Sequence, residues 1–360
     1  MQDTLLSLLN KSVKYLENKG VPKARFVVEK ILSEILELDR ISLYSNFEKV
    51  ISEDEKNLIR EKILKYNADE KEEILLETIR DYFEKTKIYL DKKGINESNI
   101  ITNIIFSNLL DIDTSLLFTK YNSKITEEQK ERLREILKKI VEKRIPIQYI
   151  FNEQVFYGYS FYVDKNVLIP RIDTEIVVEK ALELISKIKN PKVLDIGTGS
   201  GAIALTIGLE NTESKILAVD ISENALKVAR KNAEILNVQN VKIIHSDLFS
   251  NVTYNEFDLI VSNPPYISRD EISVMGEDVL LHEPESALFA DEGGLYFYYQ
   301  ISKDALNYLK ENSYLLFEIG YKQGEKVKGI MENFGYVEVS IGKDLTGNDR
   351  FVFGRKKGNK

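Results

Sequence analysis

Between residues 192 and 320 the chain alternates short apolar runs, "KVLDIG", "KILAVD", "VKIIHSD", "FDLIVSN" and "YLLFEIG", with stretches of helical periodicity, of which "ENALKVARKNAEIL" is the clearest. Parallel strands cannot be joined by a hairpin, and their crossovers are usually helices. This alternation therefore predicts an α/β domain with a largely parallel, helix-covered sheet. Ligands of such sheets gather at the carboxyl ends of the strands, so the residues at those ends carry the functional information.

The first run ends in "LDIGTGSGAIAL", which places Asp195, Gly197, Thr198, Gly199, Ser200 and Gly201 between a strand and a helix N-terminus. Glycines there let a ligand approach the backbone, and the helix start offers free N–H donors. Gly197, Gly199 and Ala202 also satisfy G-x-G-x-x-[GA], with Asp220 following Gly197 by 23 positions. This segment alone leaves both a nicotinamide or flavin cofactor and an adenosyl cofactor open. The third run ends at Asp247 and Leu248, a polar and apolar pair suited to an adenine edge and face, or simply a strand terminus. The fourth ends at Asn263 in "SNPPYIS". Pro264 and Pro265 remove two donors and stiffen the chain, which suits a plain turn as well as a site.

The first 145 residues read as all-helical and contain a repeat. "YLENKGV" from Tyr15 recurs as "YLDKKGI" from Tyr89, 74 positions later, and "ISEDEKNLIRE" from Ile51 recurs at the same offset as "ITEEQKERLRE" from Ile125. A gapless offset through both apolar and punctuating positions indicates duplicated units. Gly20 and Gly94 fit helix C-termini, and Ser52 and Thr126 fit N-caps. Near Pro146 the composition turns aromatic and β-branched, and Tyr157-Gly158-Tyr159 marks a hairpin. The expected segments are 1–68 and 69–145 for two helical bundles, 146–166 for a hairpin linker, and 167–360 for the α/β domain.

Composition limits the chemistry. The 360 residues are 43% hydrophobic, enough for two or three cored domains. Without cysteine, and with His245 and His282 as the only histidines, no disulfide, thiol nucleophile or thiolate metal site is available, and no metal is expected. The opening segment does not resemble a signal peptide, and no apolar stretch suffices to span a bilayer, so the chain reads as soluble and cytoplasmic. Residues 1–145 carry 27 basic and 27 acidic groups, which leaves the whole net charge of −8 in the remainder. That balance disfavours direct nucleic-acid binding.

The ordered set "LIPRIDTE", "LDIGTGSG", "AVDIS", "DLIVSNPPYIS", "HEPESAL", "GGLYFY", "EIGYKQG" and "DLTGNDRFVFGR" resembles the HemK/PrmC family from about Ile145 to Arg355. "GVPKARFVVEKIL" is similar to the family's substrate-recognition domain. The resemblance implies a class I S-adenosylmethionine-dependent methyltransferase fold, Rossmann-like with a mostly parallel seven-stranded sheet, after the helical region. It also implies methylation of the side-chain amide nitrogen of glutamine in the Gly-Gly-Gln motif of class I peptide chain release factors. Two features depart from the family pattern. The helical unit is doubled, its second copy reading "GINESNIITNIIF" without the Ala-Arg pair, and Ile172 stands where proline is common.

On this reading the 197–201 loop holds the methionine end of the cofactor with Asp195 beneath it, Asp220 the ribose, and Asp247 with Leu248 the adenine. Arg171, Thr174 and Glu175 are further cofactor-pocket candidates, although an Arg and a Glu after a hairpin also make a surface ion pair. His282 and Glu283 are placed near the site by resemblance alone. The catalytic set is Asn263, Pro264, Pro265 and Tyr266. An amide nitrogen is a weak nucleophile, so positioning must supply what basicity cannot. The Asn263 side-chain oxygen and the Pro264 carbonyl would accept the two amide N–H groups, with Tyr266 against the amide plane. No separate base is needed, because a methylated amide nitrogen loses its proton readily. "NPPY" equally suits an amino group of adenine or guanine in RNA or DNA, and a fold-retaining binding module without turnover is a third reading.

Overall fold

A computed structural model describes residues 4–21, 23–36, 38, 40–66 and 78–358. The expected boundary at 68/69 lies outside the described residues. Two compact units divide the chain, Met1–Leu133 and Arg134–Lys360.

The first unit is helical and repeats its architecture at the sequence offset. Helices Leu5–Asn18 and Ala24–Leu36 recur as Ile79–Lys92 and Ser98–Leu110, and the helix that begins at Glu53 recurs as one that begins at Glu127. The cause is a shared register of apolar and capping residues. Leu5, Leu16, Leu32, Leu43 and Ile51 are buried, and so are their counterparts Ile79, Leu90, Phe106, Leu117 and Ile125. Ser52 and Glu55 form a reciprocal capping box, and Thr126 with Gln129 forms its counterpart. Gly20 and Gly94 take φ of +73° and +67° after the first helix of each copy, as a helix-ending glycine requires.

The copies differ on one surface. In the first, Glu29 is buried and accepts from Arg25 Nε at 3.0 Å and Tyr44 Oη at 2.6 Å. The same positions in the second copy hold Asn103, Asn99 and an exposed Phe118. The helical scaffold therefore forms without that cluster.

The second unit takes in the end of the helix Glu127–Lys143 and then the short helix Ile147–Phe151, where the sequence suggested only extended chain. The hairpin follows as β1 (Gln154–Phe156) and β2 (Tyr159–Phe161), turning at Tyr157 and Gly158, both with positive φ. The hairpin is more than a linker. Phe156 and Phe161 are fully buried with the helices Glu175–Ile185 and Ala202–Glu210 on one face of the large sheet.

That sheet has seven strands: β3 (Lys192–Ile196), β4 (Lys215–Asp220), β5 (Val241–His245), β6 (Phe257–Ser262), β7 (Leu309–Glu318), β8 (Tyr336–Lys343) and β9 (Asp349–Lys356). Their order is β5-β4-β3-β6-β7-β9-β8, parallel from β5 to β7, with β9 antiparallel to both of its neighbours. The expected mostly parallel α/β sheet after a helical region is the observed fold. Helices Tyr296–Ala305 and Gly324–Asn333 cover the second face through Tyr298, Ile301, Val327 and Met331. Chain direction reverses its march across the sheet between β3 and β6, which opens a crevice at their carboxyl ends.

The repeated register makes a stability prediction. Leu32→Ala and Phe106→Ala, at equivalent buried positions, should each cost about 3 kcal/mol in urea denaturation of the whole chain. A negligible effect at Phe106 would show that the second copy is not packed like the first.

Candidate active site

A cavity of about 350 Å³ lies over the carboxyl ends of β3 to β6. Gly197, Thr198, Gly199 and Ser200 line it from the first strand end, Asp220 from the second, Asp247 and Leu248 from the third, and Asn263, Pro264 and Pro265 from the fourth. Arg171 and Thr174 enter from the segment before the sheet. Asp195, Gly201, Glu175 and Tyr266 are not among the lining residues.

The glycine loop is shaped by its backbone. Gly197 and Gly199 have φ of +75° and +55°, and a Cβ on either would meet nothing within 4 Å, so the loop presents open space to a ligand. Gly201 serves packing instead, since a Cβ there would lie 2.8 Å from Leu205 Cδ1. Asp220 accepts from Gly199 N at 2.8 Å and Ser222 N at 2.9 Å, tying two strand ends together. Burial raises its pKa against the pull of those amides. Beneath the loop, Asp195 is 1% exposed and accepts from Thr198 Oγ1 at 2.7 Å. Burial pushes its carboxyl up to about 7.

At the third strand end Leu248 holds φ of +45°, a strained value for a residue with a branched side chain. Ser246 sustains it, because its hydroxyl donates to Leu248 O at 2.8 Å and accepts from Asn251 N at 3.0 Å. Ser246 itself lines the cavity, as do Phe289 and Phe297, and sequence reading singled out none of them.

At the fourth strand end the Asn263 side-chain nitrogen lies 3.5 Å from Thr174 Oγ1, to which it donates. Tyr266 packs its ring against the second core cluster, and burial holds its hydroxyl well above the usual phenol range. Its carbonyl accepts from Gln323 Nε2 at 3.0 Å. Gly294 sits behind it so closely that a Cβ would fall 2.1 Å from that carbonyl oxygen. Tyr266 thus anchors the bend through its carbonyl, with its half-buried ring packed against that cluster.

One candidate is placed differently from expectation. Glu175 accepts from the Tyr157 amide at 2.7 Å, holding the hairpin turn instead of entering the cavity. Arg171 pairs with Glu283 at 2.6 Å, a carboxylate whose side chain is 1% exposed and which also accepts from Ile169 N. The neighbouring His282 is exposed, its Nε2 lying 2.6 Å from Lys143 O. No local spacing connects Arg171 to Glu283, so only the folded chain shows the pair.

Comparison with known proteins places this geometry. A family model described as the PrmC N-terminal domain matches residues 7–70 and 81–151, and one described as the methyltransferase small domain matches 174–338. A release factor glutamine methyltransferase of Fusobacterium nucleatum is 40% identical over 335 residues, covering 90% of this chain and 94% of that protein. The chain belongs to the PrmC/HemK family of release factor glutamine methyltransferases. A family member of Bacillus cereus is 38% identical over 271 residues, covering 74% of this chain and 94% of that protein. The solved release-factor-specific methyltransferase of Alicyclobacillus acidocaldarius is 27% identical, covering 55% of this chain and 100% of that one, with a TM-score of 0.34.

As a PrmC/HemK-family enzyme the protein uses S-adenosylmethionine, and the cavity fits that group. The open faces of Gly197 and Gly199 leave room against the backbone. Buried Asp195 Oδ1, beneath the loop, has no hydrogen-bond partner among the described residues and is left as a spare polar atom at the base of the site.

Asp195 also makes a pH prediction. Its folded pKa of about 7 lies above its ordinary 3.8, so between those values the native state binds a proton that the unfolded chain does not. Stability should therefore fall as pH rises from about 4 to about 7, by up to about 1.4 kcal/mol per pH unit from this group. Asp195→Asn should flatten that decline in denaturation curves taken at pH 5 and pH 8; an unaltered decline would contradict the assignment.

Proposed function

We propose that this enzyme transfers the methyl group of S-adenosylmethionine to the side-chain amide nitrogen of the glutamine in the Gly-Gly-Gln motif of class I peptide chain release factors. The observation that carries the reading is the stiff bend 263–266 at the cavity wall, backed by Gln323 and Gly294, in a chain of this family. A release-factor substrate goes with a cytoplasmic location. The segments 1–68 and 69–145 are best regarded as two helical copies, 146–166 as the joining hairpin and 167–360 as the catalytic part.

When bound, S-adenosylmethionine supplies a methyl group activated by its sulfonium. The chain holds it with the 197–201 loop, Asp220, Asp247 and Leu248. Asn263 Oδ1 and the Pro264 carbonyl accept the two N–H groups of the substrate amide, which turns the nitrogen lone pair toward the cavity. The prolines offer no N–H to compete for those oxygens. Arg171, fixed by buried Glu283, closes the wall beside Thr174.

The reading is tested by incubating the protein with labelled methyl donor and either a class I release factor or RNA. Label is expected on release factor alone, as a single methyl on the Gly-Gly-Gln peptide by mass. Asn263→Ala should lower kcat by about 10²-fold or more with cofactor affinity retained. Label on RNA and none on release factor would favour the nucleic-acid reading, and no transfer to either would favour a binding module.

A further inference from the structure

The four polar residues of "RIDTE" each hold a different element. Arg171 pairs with Glu283, Glu175 accepts from the hairpin amide of Tyr157, and Thr174 Oγ1 accepts from Asn263 Nδ2 at 3.5 Å. The fourth, Asp173, meets Arg350 at 2.9 Å. No role described above uses "DLTGNDR", the run that carries Arg350.

That run is a built turn. Asp344 Oδ1 accepts from Thr346 N at 2.9 Å, Thr346 Oγ1 at 2.6 Å and Asn348 N at 3.0 Å, and Gly347 closes the turn with φ of +88°. The other Asp344 oxygen meets Arg350 Nη2 at 3.0 Å, the same nitrogen that meets Asp173. The Arg350 carbonyl accepts from Ile319 N at 2.9 Å, which pins its backbone beside the carboxyl end of β7. Its side chain is 14% exposed, and its Nε is buried without a hydrogen-bond partner among the described residues. A buried donor left unpaired lowers stability, so stability alone does not account for an arginine here. What the guanidinium does accomplish is to tie Asp173 to the turn. Asp173 lies in the one-turn helix Ile172–Thr174, so the same tie fixes Thr174, and with it the hydroxyl that Asn263 Nδ2 reaches. The Asn263 nitrogen engaged there leaves its oxygen for the cavity that Asn263 lines.

We propose that Arg350 is a positioning residue which, braced on the Asp344 turn, holds Asp173 and Thr174 and so keeps the Asn263 amide in place for the substrate glutamine. The proposal rests on the glutamine reading for its kinetic consequence but not for the placement of Asn263. Neither Arg350 nor Asp173 lines the cavity, so cofactor affinity is not the quantity they set.

The test compares wild type, Asp173→Asn, Arg350→Gln and Arg350→Lys with release factor and methyl donor, with S-adenosylmethionine affinity of each measured by calorimetry. Asp173 is 53% exposed, so its substitution cuts the tie while the turn and β9 stay intact. Asp173→Asn and Arg350→Gln should each lower kcat about tenfold, with cofactor affinity and KM for release factor within about twofold of wild type. Arg350→Lys should recover part of the rate, because a single nitrogen meets both carboxylates. Placed in Asn263→Ala, where the positioned amide is already gone, Asp173→Asn should cost less than about twofold more. A general loosening of the fold would instead add its full loss. An Asp173→Asn enzyme of wild-type rate would overturn the proposal, as would a rate loss in it that only follows lost cofactor binding, or a loss that adds in full to that of Asn263→Ala.

A second readout needs no substrate. The Asn263 side-chain amide resonances, identified by their disappearance in Asn263→Ala, should shift in Asp173→Asn and in Arg350→Gln. Resonances unmoved by both substitutions would overturn the proposal even if release factor is methylated. Shifted resonances in a protein that leaves release factor unmodified would sink the substrate reading alone.

Discussion

Gln323 donates to the Tyr266 carbonyl at 3.0 Å and accepts from Gly320 N at 3.0 Å, so one side chain ties the bend after β6 to the loop after β7. Gly294 leaves no space behind that carbonyl. A primary amide gives up its lone pair reluctantly, and the one lever available to a protein without a strong base at the site is geometry. The bend must therefore stay where it is. Its rigidity comes from two prolines, from a tyrosine ring packed against a core cluster, and from a glutamine whose two polar ends both find backbone partners. Carbonyls aimed at a substrate are useful only on such a support.

The cofactor side of the cavity depends on the same economy of coupling. Asp220 accepts from Gly199 across adjacent strand ends, and Ser246 holds Leu248 in its left-handed conformation. Each of these polar contacts is local to the carboxyl edge of the sheet. The parallel order from β5 to β7 brings them within one cavity, which is why an open α/β sheet gathers a site at the point where its strand order reverses.

Much of this was legible in the sequence where a spacing encodes a structure. The alternation of apolar runs and helices translated into the parallel sheet, and the 74-residue offset reappeared in helix bounds and buried positions. The glycine loop and "NPPY" were visible because both constrain the backbone, and backbone constraints leave composition signals. Glu175, Glu283 and Gln323 leave none. Their partners are Tyr157, Arg171 and Tyr266, and a carboxylate looks the same in sequence whether it meets a cofactor, a hairpin amide or an arginine more than a hundred residues away.

The central claim is that outward oxygens on a fixed bend grip a flat NH2 group. A crystal structure with S-adenosylhomocysteine and a Gly-Gly-Gln peptide measures this directly. The glutamine nitrogen should lie about 3 Å from both Asn263 Oδ1 and the Pro264 carbonyl oxygen. A glutamine seated with its carbonyl toward Asn263, or held away from the bend altogether, would contradict it.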